Sequence, residues 1–296
     1  MPVFKVRSAL TGIKIDEVMH KIVKRKSHNT PIFDCIRSMI KMRNNIILID
    51  DKQGYPAGVV TKTDIMTAYY SGIPVNTALS EIMMGPLLFC FPDDRIEDVI
   101  DSMRQDNVQR VLVCGADNSE IIGMLDYSDI IGLLYRYCRD CDKSKWQTEN
   151  RYENTPISLK IKDAMTEGAS SCSEENTILN VIEELLTSGL GSVLIVDDNR
   201  HNKGVISKTD LNSAYLDGIS PDHPAKSIMS SPVISCKSDI LLTEGIQQML
   251  ISDVQQLYVQ HPETEVIEGQ LSISRAARQH SGTCRACITS LMLERV

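Results

Sequence analysis

The chain repeats itself. The run Gly58-Val59-Val60-Thr61-Lys62-Thr63-Asp64-Ile65 returns as Gly204-Val205-Ile206-Ser207-Lys208-Thr209-Asp210-Leu211, a shift of 146 residues in a chain of 296. The same shift carries Met19 onto Met165, Met83 onto Met229, Cys90 onto Cys236, and Cys138 and Cys141 onto Cys284 and Cys287. Self-similarity of this kind forces similar folded units, so it constrains the architecture more than any single motif. Each half is doubled again. A shift of 65 takes Gly58 and Asp64 onto Gly123 and Asp129, within Gly123-Met124-Leu125-Asp126-Tyr127-Ser128-Asp129-Ile130. A fourth, degenerate copy is Gly269-Gln270-Leu271-Ser272-Ile273-Ser274-Arg275-Ala276, where arginine stands in the aspartate position. Four units follow, at 1–78, 79–145, 157–224 and 225–296, with 146–156 as a linker.

Within a unit, a short helical start ends in Met (Asp16-Glu17-Val18-Met19 and its counterparts at Met83, Met165 and Met229) and leads into an extended segment. Apolar residues at three- and four-residue spacing then predict a helix, as at Val99, Ile100 and Met103 or Ile178, Ile182 and Leu185. A β-branched run such as Ser192-Val193-Leu194-Ile195-Val196 predicts a strand, and turn residues, the glycine-led strand and a last helix complete the unit. The fold class is α+β.

Composition narrows the function. With 31 Lys+Arg against 39 Asp+Glu the net charge is −8, which argues against a broad basic face for nucleic acid or anionic lipid. No apolar run approaches the roughly 20 residues that span a bilayer. The N-terminal Met-Pro-Val-Phe-Lys lacks the apolar core of a secretory signal, so the expected location is cytoplasmic. No Ser/His/Asp order with known context, P-loop or Gly-x-Gly-x-x-Gly after a strand is found, and the expectation is a protein that is not an enzyme.

The element order, the Met-ended openings and the Gly-x-x-Thr/Ser-x-x-Asp motif together resemble the CBS (cystathionine β-synthase) domain family, here as four repeats in two tandem pairs, or Bateman modules. The arrangement is similar to stand-alone bacterial CBS proteins and to the gamma subunit of AMP-activated protein kinase. The resemblance implies adenine-nucleotide ligands (AMP, ADP, ATP or a related adenosyl compound) held in the clefts of the repeat pairs. A regulated partner protein would read the conformational change, as in energy sensing. Carried onto this chain, the ligand-binding set is Gly58, Thr61, Lys62, Asp64, Arg110, Asp129, Gly204, Ser207, Lys208 and Asp210.

Two readings of the motif compete. Thr61 as an N-cap with Asp64 in the first turn would satisfy orphan N–H groups and suit the helix dipole. Alternatively the carboxylate accepts ribose hydroxyls while the helix N-terminus and the lysines attract phosphate. The first and third copies keep both groups. The second replaces the hydroxyl with Asp126, and two adjacent carboxylates repel a phosphate unless a cation intervenes. In the fourth, Ser272 can cap but Arg275 cannot accept ribose hydroxyls. The family places a basic residue at the start of the central strand. Arg110 fits, and its counterparts are read as the uncharged Asn45, Gly191 and Gln256.

Nine cysteines are an odd count for a cytosolic chain. Cys138/Cys141 and Cys284/Cys287 form two Cys-x-x-Cys pairs, each starting nine residues after a motif position. Core packing, a zinc or iron–sulfur site completed by both pairs, within the chain or across a homodimer, and redox chemistry all stay open. A metal or redox sensor is therefore the alternative function, and a ligand-free dimerisation scaffold a third.

Overall fold

The computed structural model describes residues 10, 12–85, 88–115, 120–135, 159–264 and 266–280. The four copies build the same five elements. The first has β1 (Arg25–Ser27), α1 (Ile32–Met42), β2 (Ile46–Asp50), β3 (Pro56–Thr61) and α2 (Lys62–Tyr70). The second has β4 (Phe89–Cys90), α3 (Ile96–Gln105), β5 (Arg110–Cys114), β6 (Ile121–Asp126) and α4 (127–135). The third begins with α5 (Ile161–Ala164) and β7 (Thr166–Glu167), followed by β8 (Ser171–Ser173), α6 (Ile178–Ser188), β9 (Ser192–Val196), β10 (Asn202–Ser207) and α7 (Lys208–Leu216). The fourth has β11 (Ser235–Lys237), α8 (Leu242–Ser252), β12 (Gln256–Gln260), β13 (Ile267–Ser272) and α9 (Ile273–His280). In every copy the first strand runs parallel to the central strand, which pairs antiparallel with the strand carrying the motif glycine.

The helix after each first strand follows the predicted periodicity. In α1 the buried residues are Ile32, Cys35, Ile36 and Met39, one stripe at three- and four-residue steps. The Met-ended openings are shorter than helices: single 3-10 turns at Ile15–Glu17, Leu79–Glu81 and Ala225–Ser227, and the one-turn α5.

Contacts group the described residues into two compact units that cut across the sequence halves. One joins Ile22–Leu87 to Ala169–Ile234; the other joins the chain up to Lys21 with Leu88–Gly168 and the chain from Ser235 onward. The boundaries fall just after the openings for a physical reason. Each opening is lent to the neighbouring copy, where it bridges the glycine-bearing strand: His20 pairs with Met124, Met84 with Val59 and Ser230 with Val205, while β7 adds to β13 as a fourth strand.

The unit of the first and third copies has one core drawn from α1, α2, α6, α7 and their sheets. Here α2 and α7 lie with like ends together. Lys62 reaches Thr209 and Lys208 reaches Thr63 at the N-terminal ends (Nζ–Oγ1 2.7 and 3.0 Å). Tyr69 and Tyr215 stack near the other ends with centroids 4.9 Å apart. The tyrosine hydroxyls donate to the carbonyls of Ile219 and Ile73 across the pair.

The helix faces that meet in this unit are not wholly apolar. Asn212 on α7 is 2% exposed, and neither of its amide atoms meets a hydrogen-bond partner among the described protein groups. Its counterpart under the 146-residue shift, Met66 on α2, is fully buried. A buried unpaired amide costs roughly 1–3 kcal/mol. Asn212→Leu, of similar volume, is therefore expected to raise the denaturation midpoint, by about 2–4 °C for each kcal/mol recovered. A fall in the midpoint would contradict this assignment.

Candidate functional site

The site is built where the motif strand turns into the last helix of each copy. β3 ends at Thr61, whose backbone is still extended, and α2 starts at Lys62. Asp64, the third helical residue, folds back so that Oδ2 accepts from Thr61 N and Thr61 Oγ1, both at 2.7 Å, while Asp64 N donates to Thr61 Oγ1 at 3.3 Å. This is a reciprocal capping box. The third copy repeats it: Asp210 Oδ2 accepts from Ser207 N at 2.7 Å and Ser207 Oγ at 2.6 Å. The capping reading of the motif is thus present in full, but it uses only one carboxylate oxygen.

The other oxygen separates the copies. Asp64 Oδ1 has no hydrogen-bond partner among the described residues, whereas Asp210 Oδ1 accepts from Ser230 Oγ at 2.8 Å. Burial pushes the Asp64 carboxyl above the usual carboxylate range, against the pull of Thr61 and the nearby Lys208. Lys62 and Lys208 stand at the first helical positions, each with a threonine of the opposite helix as a partner.

In the second copy the two carboxylates have divided the work. Asp126 Oδ1 caps α4 through Ser128 N at 2.7 Å and Asp129 N at 3.2 Å. Its Oδ2 faces Arg110 Nε at 3.6 Å, with both side chains 16% exposed. Arg110 thus supplies a cation beside Asp126. Asp129 Oδ2 accepts from Asp126 N and meets His20 Nδ1, both at 2.8 Å. Burial raises the Asp129 carboxyl and the His20 bond offsets part of that rise; the same bond raises His20 above its ordinary value of 6.5. A histidine raised in the fold contributes stability fully below pH 6.5, lost as pH climbs through its folded value.

In the fourth copy Ser272 Oγ accepts from Arg275 N at 3.3 Å, so the cap survives. The Arg275 side chain turns away to the carbonyl of Ala164, with Nε–O 2.6 Å. Pairing across the sheets corrects one expectation. Arg110 lies opposite Asp126, and the residues in that register are Ile46 opposite Thr61, Ser192 opposite Ser207 and Gln256 opposite Ser272. Asn45 and Gly191 sit one residue too early, because the first and third central strands begin at Ile46 and Ser192 and are aligned by their glycine partners Ile49 and Ile195.

The motif glycines lie under the lent openings. A Cβ on Gly58 would stand 2.9 Å from the Met84 carbonyl and 3.2 Å from Met83 Sδ. On Gly204 it would be 2.6 Å from the Ser230 carbonyl and 3.3 Å from Met229 Sδ. Sequence reasoning found the Met and the Gly separately and missed that they form one contact. It also missed His20 and Ser230. Neither residue carries a local signal, because the opening and the glycine it covers belong to different copies.

Cys138, Cys141, Cys284 and Cys287 lie outside the described residues. Cys90 and Cys236 are buried strand residues with thiols pushed up to about 12 by burial. Among the described residues no helix is long and apolar enough to cross a membrane.

Four copies of a three-stranded sheet with two helices, each capped at the motif, define a CBS-type repeat protein. The sequence profile of the CBS domain matches residues 15–71, 79–136 and 161–217, more than half of the chain, and the chain belongs to that family. Among curated proteins it is similar to the uncharacterized protein MJ1225 of Methanocaldococcus jannaschii, 21% identical over 197 residues, covering 67% of this chain and 68% of the relative. The crystal structure of MJ1225 superposes with a TM-score of 0.72 at 16% identity, over 90% of this chain and 99% of that one. An uncharacterized conserved protein from Pyrococcus horikoshii gives a TM-score of 0.57, also at 16% identity, over 90% of this chain and 100% of its own.

Proposed function

We propose that the chain is a regulatory ligand-binding protein, not an enzyme. It takes an adenine nucleotide (AMP, ADP, ATP or a related adenosyl ligand) against its motif carboxylates and passes a conformational change to a partner protein. Asp64 is the leading residue and Asp210 the second. The observation that carries this reading is the Asp64 carboxylate: one oxygen is spent on the helix cap, the other has no hydrogen-bond partner among the described residues, and burial raises its pKa. A carboxylate oxygen left open at a helix start is suited to accept ribose hydroxyls. The N-terminal ends of α2 and α7 and the Lys62 and Lys208 ammonium groups favour the attached phosphate. Family membership supports the reading, and MJ1225 is itself put forward as an archaeal homologue of γ-AMPK.

Calorimetric titration with AMP, ADP, ATP and S-adenosylmethionine tests it. Saturable heat with at least one of them, lost in an Asp64→Ala, Asp210→Ala double variant, is expected. Full binding by the double variant would refute the site.

A further inference from the structure

The residue after each opening Met occupies one register in all four copies. His20, Met84, Thr166 and Ser230 lie opposite Met124, Val59, Gln270 and Val205, the residues that follow the motif glycines. The backbone bridge therefore delivers each of these side chains to the same sheet position, next to the start of the last helix. Where the side chain is a donor, it reaches the motif carboxylate: His20 Nδ1 is 2.8 Å from Asp129 Oδ2, and Ser230 Oγ donates to Asp210 Oδ1 at 2.8 Å. Where it is Met84, the side chain has no hydrogen to donate and Asp64 Oδ1 has no hydrogen-bond partner among the described residues.

We infer that the residue after the opening Met is the specificity-determining position that sets which motif carboxylates a nucleotide can reach: Met84 leaves the first copy open, Ser230 engages the third, and His20 closes the second. The inference rests on the nucleotide reading above. The closures differ in strength. A serine hydroxyl rotates away at little cost and can donate to a ligand instead. The imidazole is held by charge as well as by its hydrogen bond, with Asp129 and Asp126 facing it from α4 and its cap and Arg110 from β5. A ligand that takes Asp129 must displace His20, which then loses its carboxylate and releases a proton. Binding at the second copy therefore tightens as pH rises from 6.5 through the folded His20 value.

Reciprocal exchange tests the assignment. AMP and ATP bound per chain are counted by equilibrium dialysis for the full chain, for His20→Met and for Met84→His, with Asp64→Asn as the reference for the first site. An NMR pH titration of the His20 ring, with and without Asp129→Asn, needs no nucleotide. The expected results are one additional nucleotide per chain in His20→Met, at least tenfold weaker binding in Met84→His, and a His20 ring that titrates above 6.5 and falls back in Asp129→Asn. If the parent chain binds nucleotide through Asp64 but either exchange leaves the count and affinity unchanged, the inference is wrong and the nucleotide reading stands. If neither the parent nor His20→Met binds AMP or ATP, the nucleotide reading falls and this inference with it. A His20 ring that titrates at its ordinary value, indifferent to Asp129, overturns the closure of the second copy on its own.

Discussion

An Asp64→Asn chain is expected to bind AMP at least tenfold more weakly than the parent while melting at the same temperature or higher. A hydrogen bond to a charged acceptor contributes about 1.5–3 kcal/mol, and 1.4 kcal/mol is tenfold in affinity. Losing the charge at one acceptor is enough for the predicted drop. The stability arm has the opposite sign because the fold raises the Asp64 pKa above 3.8, chiefly through burial. A raised carboxyl favours the native state most below its unfolded pKa, and that contribution is lost as pH rises through the folded value. At neutral pH the ionised group is therefore a burden that asparagine removes, while its amide oxygen can still accept from Thr61 N. The melting difference between variant and parent should shrink as pH falls toward 4. A large loss of stability with unchanged AMP affinity would mean that Asp64 only caps a helix.

The second large effect is on the fold. Gly204→Ala is expected to destabilise the chain by about 1–3 kcal/mol, the usual cost of overpacking. The added methyl would meet the Ser230 carbonyl at 2.6 Å. That carbonyl cannot retreat freely, because Ser230 and Val205 exchange both backbone hydrogen bonds, at 2.8 and 2.9 Å. Gly58→Ala, with its nearest backbone atom at 2.9 Å, should cost less. Gly132→Ala is the control: it lies within α4, nothing stands within 4 Å of a Cβ there, and alanine favours a helix interior by up to about 1 kcal/mol. Chemical denaturation of the three variants should rank them in that order. Equal midpoints for Gly204→Ala and Gly132→Ala would remove the lent opening as the reason for the motif glycine.

Much of this was legible in the residues because a repeat tests itself. The four copies, their elements and the capping geometry at Thr61 and Ser207 follow from local patterns that recur in register. What escaped notice is non-local. Nothing in the run Asp16-Glu17-Val18-Met19 says that the next residue, His20, will sit on the sheet of another copy beside Asp129. Nothing in the 146-residue shift says that the first copy packs with the third, because that choice is made by which helix faces remain apolar after each sheet is covered. In α2 these are Ile65, Met66, Ala68 and Tyr69, too many for one face. The register difference at Asn45 and Gly191 is also set by pairing: the motif glycine follows its strand partner by nine residues in the first and third copies (Ile49 to Gly58, Ile195 to Gly204) and by ten in the second and fourth (Val113 to Gly123, Val259 to Gly269).

The central claim is that the open oxygen of Asp64 is a ribose acceptor. A crystal structure of the chain soaked with AMP tests it most directly. The account predicts ribose density with a hydroxyl within hydrogen-bond distance of Asp64 Oδ1 and the Thr61 cap intact. AMP bound elsewhere with Asp64 untouched, or no AMP in a crystal whose Asp64 is accessible to solvent, would contradict it.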